Sequence, residues 1–220
     1  MIVAIDGPAG AGKSTVAKIL AKRLGFLYID TGAMYRALTL KALDNNVDIN
    51  DECKVNKLAL EANIDLCNNL DGSLSVILDG KDVSLDIRQP RITQVVSEVS
   101  KIKGVRQVLV KMQRELGKKG DCVLEGRDIG TVVFPHAQKK FFIDASVKVR
   151  VNRRFKELKG LNQNIAEDDV ARDLSNRDKI DSTRQVSPLR KADDAFFIDT
   201  TELSVEGVVE KMLELCKVNG

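Results

Sequence analysis

The chain has 220 residues, 43% hydrophobic, 30% charged and 4% aromatic, with a formal net charge of +3. That balance excludes a disordered or collagen-like chain, and no apolar run approaches the roughly 20 residues that a helix spanning a bilayer requires. Four cysteines without a Cys-x-x-Cys pair, and the single histidine His136, point away from a zinc site or a disulfide framework and towards buried thiols.

A chain of this size can bury roughly 70% of its extended surface, so one core carrying an inserted or appended piece is expected. Met1 to Gly7 lacks the charged and apolar regions of a secretory leader, so the expected address is cytoplasmic.

Ile2-Val-Ala-Ile5 is a short unbroken apolar run, the pattern of a strand buried on both faces. Residues 7–14, GPAGAGKS, then match G-x-x-x-x-G-K-S/T in full, with Thr15 following. Val16, Ile19, Leu20 and Leu24 recur at helical spacing over Lys13 to Leu24, and Gly25 is placed to stop that helix. Strand, glycine-rich loop and helix come in the order that a phosphate-binding loop requires. Gly7, Gly10 and Gly12, with Pro8, Ala9 and Ala11 between them, let successive backbone N–H groups point at phosphate oxygens. Lys13 adds a charge against the outer phosphates, Ser14 offers a hydroxyl to Mg²⁺, and the helix start adds its positive dipole end. ATP with Mg²⁺ is the expected donor.

Leu27-Tyr-Ile29 reads as a second strand, and a helix follows from Ala33 to about Leu43. This βαβα opening implies a parallel sheet covered by helices. Asp71-Gly72 and Asp79-Gly80 separate Ile64–Cys67, Leu74–Leu78 and Val83, which predicts a small antiparallel sheet at about 63–86. Helices are expected at Arg91–Lys101 and Val105–Leu116, strands at Val123-Leu124, Lys140–Ile143 and Phe196–Ile198, and a closing helix at Ser204–Cys216. Each strand of the parallel sheet ends in an acid, at Asp6, Asp30, Glu125, Asp144 and Asp199, on the edge where open α/β sheets bind ligands.

The loop alone does not choose among P-loop proteins. No aspartate has glycine three positions later and the one Asn-Lys pair continues Leu-Ala, which disfavours a guanine-nucleotide switch. From Ser146 to Ala192 there are 12 Lys/Arg against 7 Asp/Glu, a concentration suited to a compact polyanion. Phe155 is the one aromatic residue in that stretch, too few for a stacking platform, so nucleic-acid binding is not expected. Three further clusters sit at the ligand edge or on a polar helix: Asp30-Thr-Gly-Ala-Met-Tyr-Arg36, Glu125-Gly-Arg-Asp-Ile-Gly130, and Arg177, Asp181 and Arg184 sharing one helical face.

The IDGPAGAGKST run, DTGAMYR at 30–36, EGRDIGTVVFP at 125–135 and R-D-x-x-D-x-x-R at 177–184 followed by SPL together resemble the bacterial-type cytidylate kinases (CMP/dCMP kinases) among the P-loop nucleoside monophosphate kinases. The resemblance spans nearly the whole chain. It implies a three-layer αβα fold on a five-stranded parallel sheet, built from 1–62, 87–145 and 190–220, with an inserted antiparallel subdomain at 63–86 and a basic helical lid at 146–189.

It further implies that Thr31, Tyr35, Arg36 and Arg127 surround the monophosphate of CMP or dCMP, that Ser97, Arg106 and Asp128 read the cytosine edge, and that Arg177 and Asp181 hold the ribose. Arg184 with Arg150, Arg153 and Arg154 would bring charge to the transferring group, the catalytic set being Lys13, Arg127, Arg177 and Arg184. His136 and Ile180 depart from the family pattern, and His136 is expected on a surface loop. No general base is evident, nor any nucleic-acid or membrane partner, and a monomer is expected. Two other functions remain open at this point: a kinase of this fold for another acceptor such as UMP or shikimate, and a nucleic-acid-stimulated ATPase.

Overall fold

The computed structural model describes residues 1–160 and 165–217. Strands β1 (Ile2–Asp6), β2 (Leu27–Asp30), β6 (Cys122–Gly126), β7 (Lys139–Asp144) and β8 (Phe196–Asp199) form the expected parallel sheet, in the order β2-β6-β1-β7-β8. β1 lies at its centre, with Ala4 buried in the α2–α5 core on one face and Val3 and Ile5 buried under α1 and α8 on the other, which accounts for its unbroken apolar run. In register, Asp6 stands beside Gly126 and Phe142, so the strand ends that carry the motifs share one edge.

Helices α1 (Lys13–Leu24) and α8 (Val205–Lys217) cover one face, with Val16, Ala17 and Leu20 packed with Val208, Val209 and Met212 over Phe141 and Ile143. The opposite face carries α2 (Thr31–Asp44), α3 (Glu52–Glu61), α4 (Pro90–Lys101) and α5 (Lys103–Gly117). No helix among the described residues is long and apolar enough to cross a membrane.

The inserted antiparallel sheet is β3 (Ile64–Asn68), β4 (Leu74–Leu78) and β5 (Lys81–Asp82). Asp79 and Gly80 turn β4 into β5 with φ of 51° and 83°, the left-handed pair a two-residue hairpin needs. Ile64, Leu66, Val76 and Leu78 pack into the α2–α5 core. Asn68 ties the insert to the main sheet as a mock strand: Tyr28 N–H donates to its Oδ1 at 3.0 Å and its Nδ2 donates to the Tyr28 carbonyl at 3.1 Å. Edge strand β2 is thereby covered. Helices α6 (Val147–Gly160) and α7 (Glu167–Thr183) form the basic segment, and residues 161–164 of the expected lid lie outside the described residues.

Several expectations need correction. Helix α2 starts at Thr31 rather than Ala33, because Asp30 caps it by accepting the Ala33 N–H at 2.9 Å. Val83 is buried beyond the third strand, and the strand itself is exposed Lys81–Asp82. Arg184 is not on the helical face with Arg177 and Asp181, since it lies past the end of α7 in extended backbone. Only Cys122 is buried, while Cys216 is half-buried and Cys53 and Cys67 are exposed. Helix α3, capped by Asp51, and a single π-helical turn at Ile129–Val133 have no counterpart in the sequence expectations.

Candidate active site

The loop between β1 and α1 is held by geometry that only glycine satisfies. Gly7 has φ of 152°, and a Cβ there would stand 2.0 Å from the Ile143 carbonyl oxygen. Gly12, with φ of 94°, is the residue that caps α1, so the loop runs directly into the helix N-terminus. Lys13 is buried and donates from Nζ to the Pro8 carbonyl at 2.7 Å, holding the loop closed on itself. Burial, then the nearby Arg127, pushes its pKa down to about 7. Ser14 and Thr15 are exposed at the helix start.

Across from the loop, Glu125 at the end of β6 is buried, accepts the Tyr28 hydroxyl, and is pushed upward by burial and by the Asp30 carboxylate. Thr31 donates to the Glu125 carbonyl at 2.7 Å, so its hydroxyl proton ties α2 to β6. Gly126 lets the two pass, because a Cβ would lie 2.7 Å from Thr31 Oγ1.

Arg36 donates to Thr93 Oγ1 at 2.9 Å and to the Ile87 carbonyl at 3.4 Å, and it forms no ion pair among the described residues. Burial, with Arg177 and Arg154 adding repulsion, lowers it to about 9, against the opposing pull of Asp30 and Glu157. Arg127 Nε pairs with Asp181 Oδ2 at 2.8 Å. Burial pushes the Asp181 carboxyl up, but Arg127 and Arg184 beside it hold it below the usual carboxylate range.

Deeper still, Arg106 Nη2 donates to Asp128 Oδ2 at 2.5 Å, both side chains being almost fully buried, and Arg184 Nη2 approaches Asp128 Oδ1 at 3.5 Å. The Arg106 guanidinium also lies 5.5 Å over the Tyr35 ring. Burial raises the Tyr35 phenol to about 12. Ser97 is buried on α4 beside this pair.

A single cavity of about 540 Å³ is lined by Ala9 to Thr15, Thr31, Tyr35, Arg36, Ser97, Arg106, Arg127, Asp128, Arg153, Arg154, Arg177, Asp181 and Arg184. Gly7, Pro8 and Arg150 stand outside its lining. Arg150 is buried, and its guanidinium is spent on the carbonyls of Ala145 and Ala9 and on Asp178. Arg153 is committed to Thr200 and the Ala11 carbonyl. Of these three arginines, Arg154 keeps Nε without a partner among the described residues, and it pairs with Glu157 on its own helix. His136 is exposed, away from this cavity, and Ile180 is half-buried.

Sequence reasoning placed Asp6 at the ligand edge without a role and missed the inserted segment's wall. Asp6 accepts the N–H groups of Ile129 and Gly130, each at 2.8 Å, and so shapes the loop that presents Arg127 and Asp128. Val76, Ser84, Ile87 and Arg88 also line the cavity, and the only signal for them was their place after a hairpin.

A family model described as cytidylate kinase matches residues 3–218. A cytidylate kinase of Lactobacillus johnsonii is 52% identical over 98% of this chain and 93% of its own length. One from Caldanaerobacter subterraneus is 51% identical over 99% of this chain and 95% of its own. Among solved structures, an uncharacterized protein from Eubacterium ventriosum matches with a TM-score of 0.54 at 13% identity, covering 100% of this chain and 99% of that one. A shikimate kinase from Bacteroides thetaiotaomicron matches with 0.51 at 14% identity, covering 99% of each. Likeness at that level concerns the fold alone.

Proposed function

Because the chain belongs to the cytidylate kinase family, we propose that it transfers the γ-phosphoryl group of ATP to the phosphate of CMP or dCMP, giving ADP with CDP or dCDP. The observation that carries this is one cavity whose lining includes the phosphate loop, Arg36, which forms no ion pair among the described residues, and the buried Arg106–Asp128 pair. Two polyanions can then meet with their phosphates between Lys13 and the arginines. The family match sets aside the other acceptors and the nucleic-acid-stimulated ATPase.

The acceptor phosphate is already a nucleophile, so no general base is needed, and positioning with charge neutralisation supplies most of the catalysis. Lys13 and the loop amides hold the donor phosphates, while Thr31, Tyr35, Arg36 and Arg127 hold the acceptor phosphate and Arg154 and Arg184 add charge from α6 and from just past α7. Asp128 accepts from the exocyclic amine of cytosine, with Arg106 and Ser97 beside it, and uracil lacks that donor. Asp181 and Arg177 face the sugar. The α6–α7 unit, within 146–189, acts as a lid that keeps water from the donor, and the 63–86 insert closes the acceptor side.

The oxygen donors at the loop fit Mg²⁺, which takes hard ligands and completes its shell with phosphate and water. Ser14 is exposed on the cavity wall, Glu125 and Asp30 lie nearby, and no cluster of three or more His, Cys, Asp or Glu side chains able to cage a metal occurs among the described residues. Ser14 would hold Mg²⁺, with Glu125 and Asp30 as the nearby carboxylates. When bound, the ion neutralises charge between the outer phosphates of ATP. We place the enzyme in the cytoplasm as a monomer.

The test is ADP release from Mg-ATP against CMP, dCMP, UMP, AMP, GMP, dTMP and shikimate. Fast release with CMP and dCMP alone is expected. Release driven by a different acceptor would discard the cytosine site.

A further inference from the structure

Ala9 forms the crest of the phosphate loop, and the α6–α7 unit grips it from several sides. Its side chain is buried in a small apolar cluster with Val151, Leu158, Val170 and Leu174. Its N–H donates to Asp178 Oδ1 at 3.4 Å, and its carbonyl accepts from Arg150 Nη1 at 3.1 Å. The same Nη1 donates to Asp178 Oδ2 at 2.5 Å, which closes a ring of three groups: carboxylate, guanidinium and peptide. Arg150 Nε anchors that ring to the Ala145 carbonyl at 3.1 Å, just beyond β7. Gly10 completes the contact, since a Cβ there would lie 3.0 Å from the Arg150 carbonyl oxygen. Asp178 and Arg150 are both absent from the cavity lining, so neither faces a substrate directly.

We propose that Asp178 is a positioning residue for the donor nucleotide, acting through Arg150 and the Ala9 peptide to lock the phosphate loop to the closed lid. Order in the loop and closure of the lid then form one equilibrium. Donor phosphates that need the ordered loop also draw in α6 and α7, which carry Arg154 and Arg177 to the cavity. Without the Asp178 carboxylate the ring opens, the closed form is less populated, and apparent donor affinity falls by the fraction lost. Saturating nucleotide restores closure, so the effect falls on affinity rather than on turnover. The inference rests on the kinase function proposed above, in that it takes the loop as a donor site.

The test uses full-length Asp178→Ala and Asp178→Asn proteins, with Mg-ADP titrated calorimetrically and steady-state constants measured for both substrates. Asp178→Ala is expected to weaken Mg-ADP binding and raise KM for ATP about tenfold, with kcat at saturation and KM for CMP within about threefold. Asp178→Asn keeps an acceptor for the Ala9 N–H but loses the charge facing Arg150, so it should fall between wild type and Asp178→Ala. It carries the test if the alanine variant does not fold. Unchanged Mg-ADP affinity and KM for ATP in a folded variant would overturn the proposal. So would a fall in kcat alone with both KM values unchanged, which is what mere loss of folded enzyme produces. The Mg-ADP titration involves no acceptor, so its outcome is independent of whether wild type accepts CMP.

Discussion

Arg127 Nε donates to Asp181 Oδ2 at 2.8 Å, joining the loop after β6 to the lid helix α7 across the cavity. The pair is half-buried on the arginine side and buried on the carboxylate side, so it is screened less than a surface ion pair. On the function proposed above, an acceptor phosphate entering here would meet a cation already held in place by Asp181. Arg127→Ala is therefore expected to lower turnover with CMP by about 10³-fold, and Lys13→Ala by a similar factor. Steady-state assays at saturating ATP check this, and near-normal rates in either variant would remove that residue from the site.

Asp128 is fixed by Arg106 at 2.5 Å and Arg184 at 3.5 Å, which leaves its orientation little freedom. Asp128→Asn keeps the size but loses the charge that holds both guanidinium groups. KM for CMP should rise about 10- to 100-fold, and the preference for CMP over UMP should narrow. Competition assays with the two monophosphates read the preference directly.

Burial, then the nearby Arg127, pushes the Lys13 pKa down to about 7. The unfolded lysine titrates near 10.5, so between pH 7 and 10.5 the unfolded chain binds the extra proton. The cost of burying this charge is therefore full below pH 7 and fades as pH rises. Donor phosphates beside Nζ restore the charged form, so binding of Mg-ADP at pH 8 should take up about one proton, falling towards none by pH 6. Calorimetry in buffers of different ionisation enthalpy measures this, and proton release at pH 8 would contradict it.

Burial raises Asp6 to about 6, against the two N–H groups of Ile129 and Gly130 that favour its ionised form. The native state then holds the proton between pH 3.8 and 6, so the cost of its charge is full above pH 6 and absent below the unfolded value. Asp6→Ala leaves two buried donors unsatisfied, at about 3 kcal/mol. The loss should be larger at pH 4 than at pH 8, because the wild type is relieved of its buried charge at the lower pH. Denaturant melts at both values test the sign, and kcat/KM for CMP should fall about tenfold as the loop carrying Arg127 and Asp128 loosens.

The βαβα opening, the phosphate loop and the final helix were legible because each is a local pattern: an apolar run, a glycine spacing, a 3.6-residue stripe. Helix α3 was not, since its buried positions are only Val55 and Ala59 and its start depends on a cap from Asp51. The π-helical turn at Ile129–Val133 was equally hidden, because Asp6, more than 120 residues away in sequence, supplies its first two hydrogen-bond acceptors. The lid arginines show the same divide. Composition marked 146–192 as basic, but it could not say that Arg150 and Arg153 turn to backbone carbonyls while Arg154 keeps Nε without a partner among the described residues.

What the chain's own order of residues determined was the parallel sheet, the strand–loop–helix that receives phosphate, and the grouping of acids and arginines at strand ends. Side-chain periodicity and glycine's backbone freedom act over a few residues, so they are written locally. The tertiary structure alone decided which charges meet. Asp181 reaches Arg127, Asp128 pairs with Arg106, and Asp178 closes on Arg150 and the loop crest, while Arg36 forms no ion pair among the described residues. Pairing of buried charges depends on which helix packs over which strand end, and that is settled by the burial of the whole core.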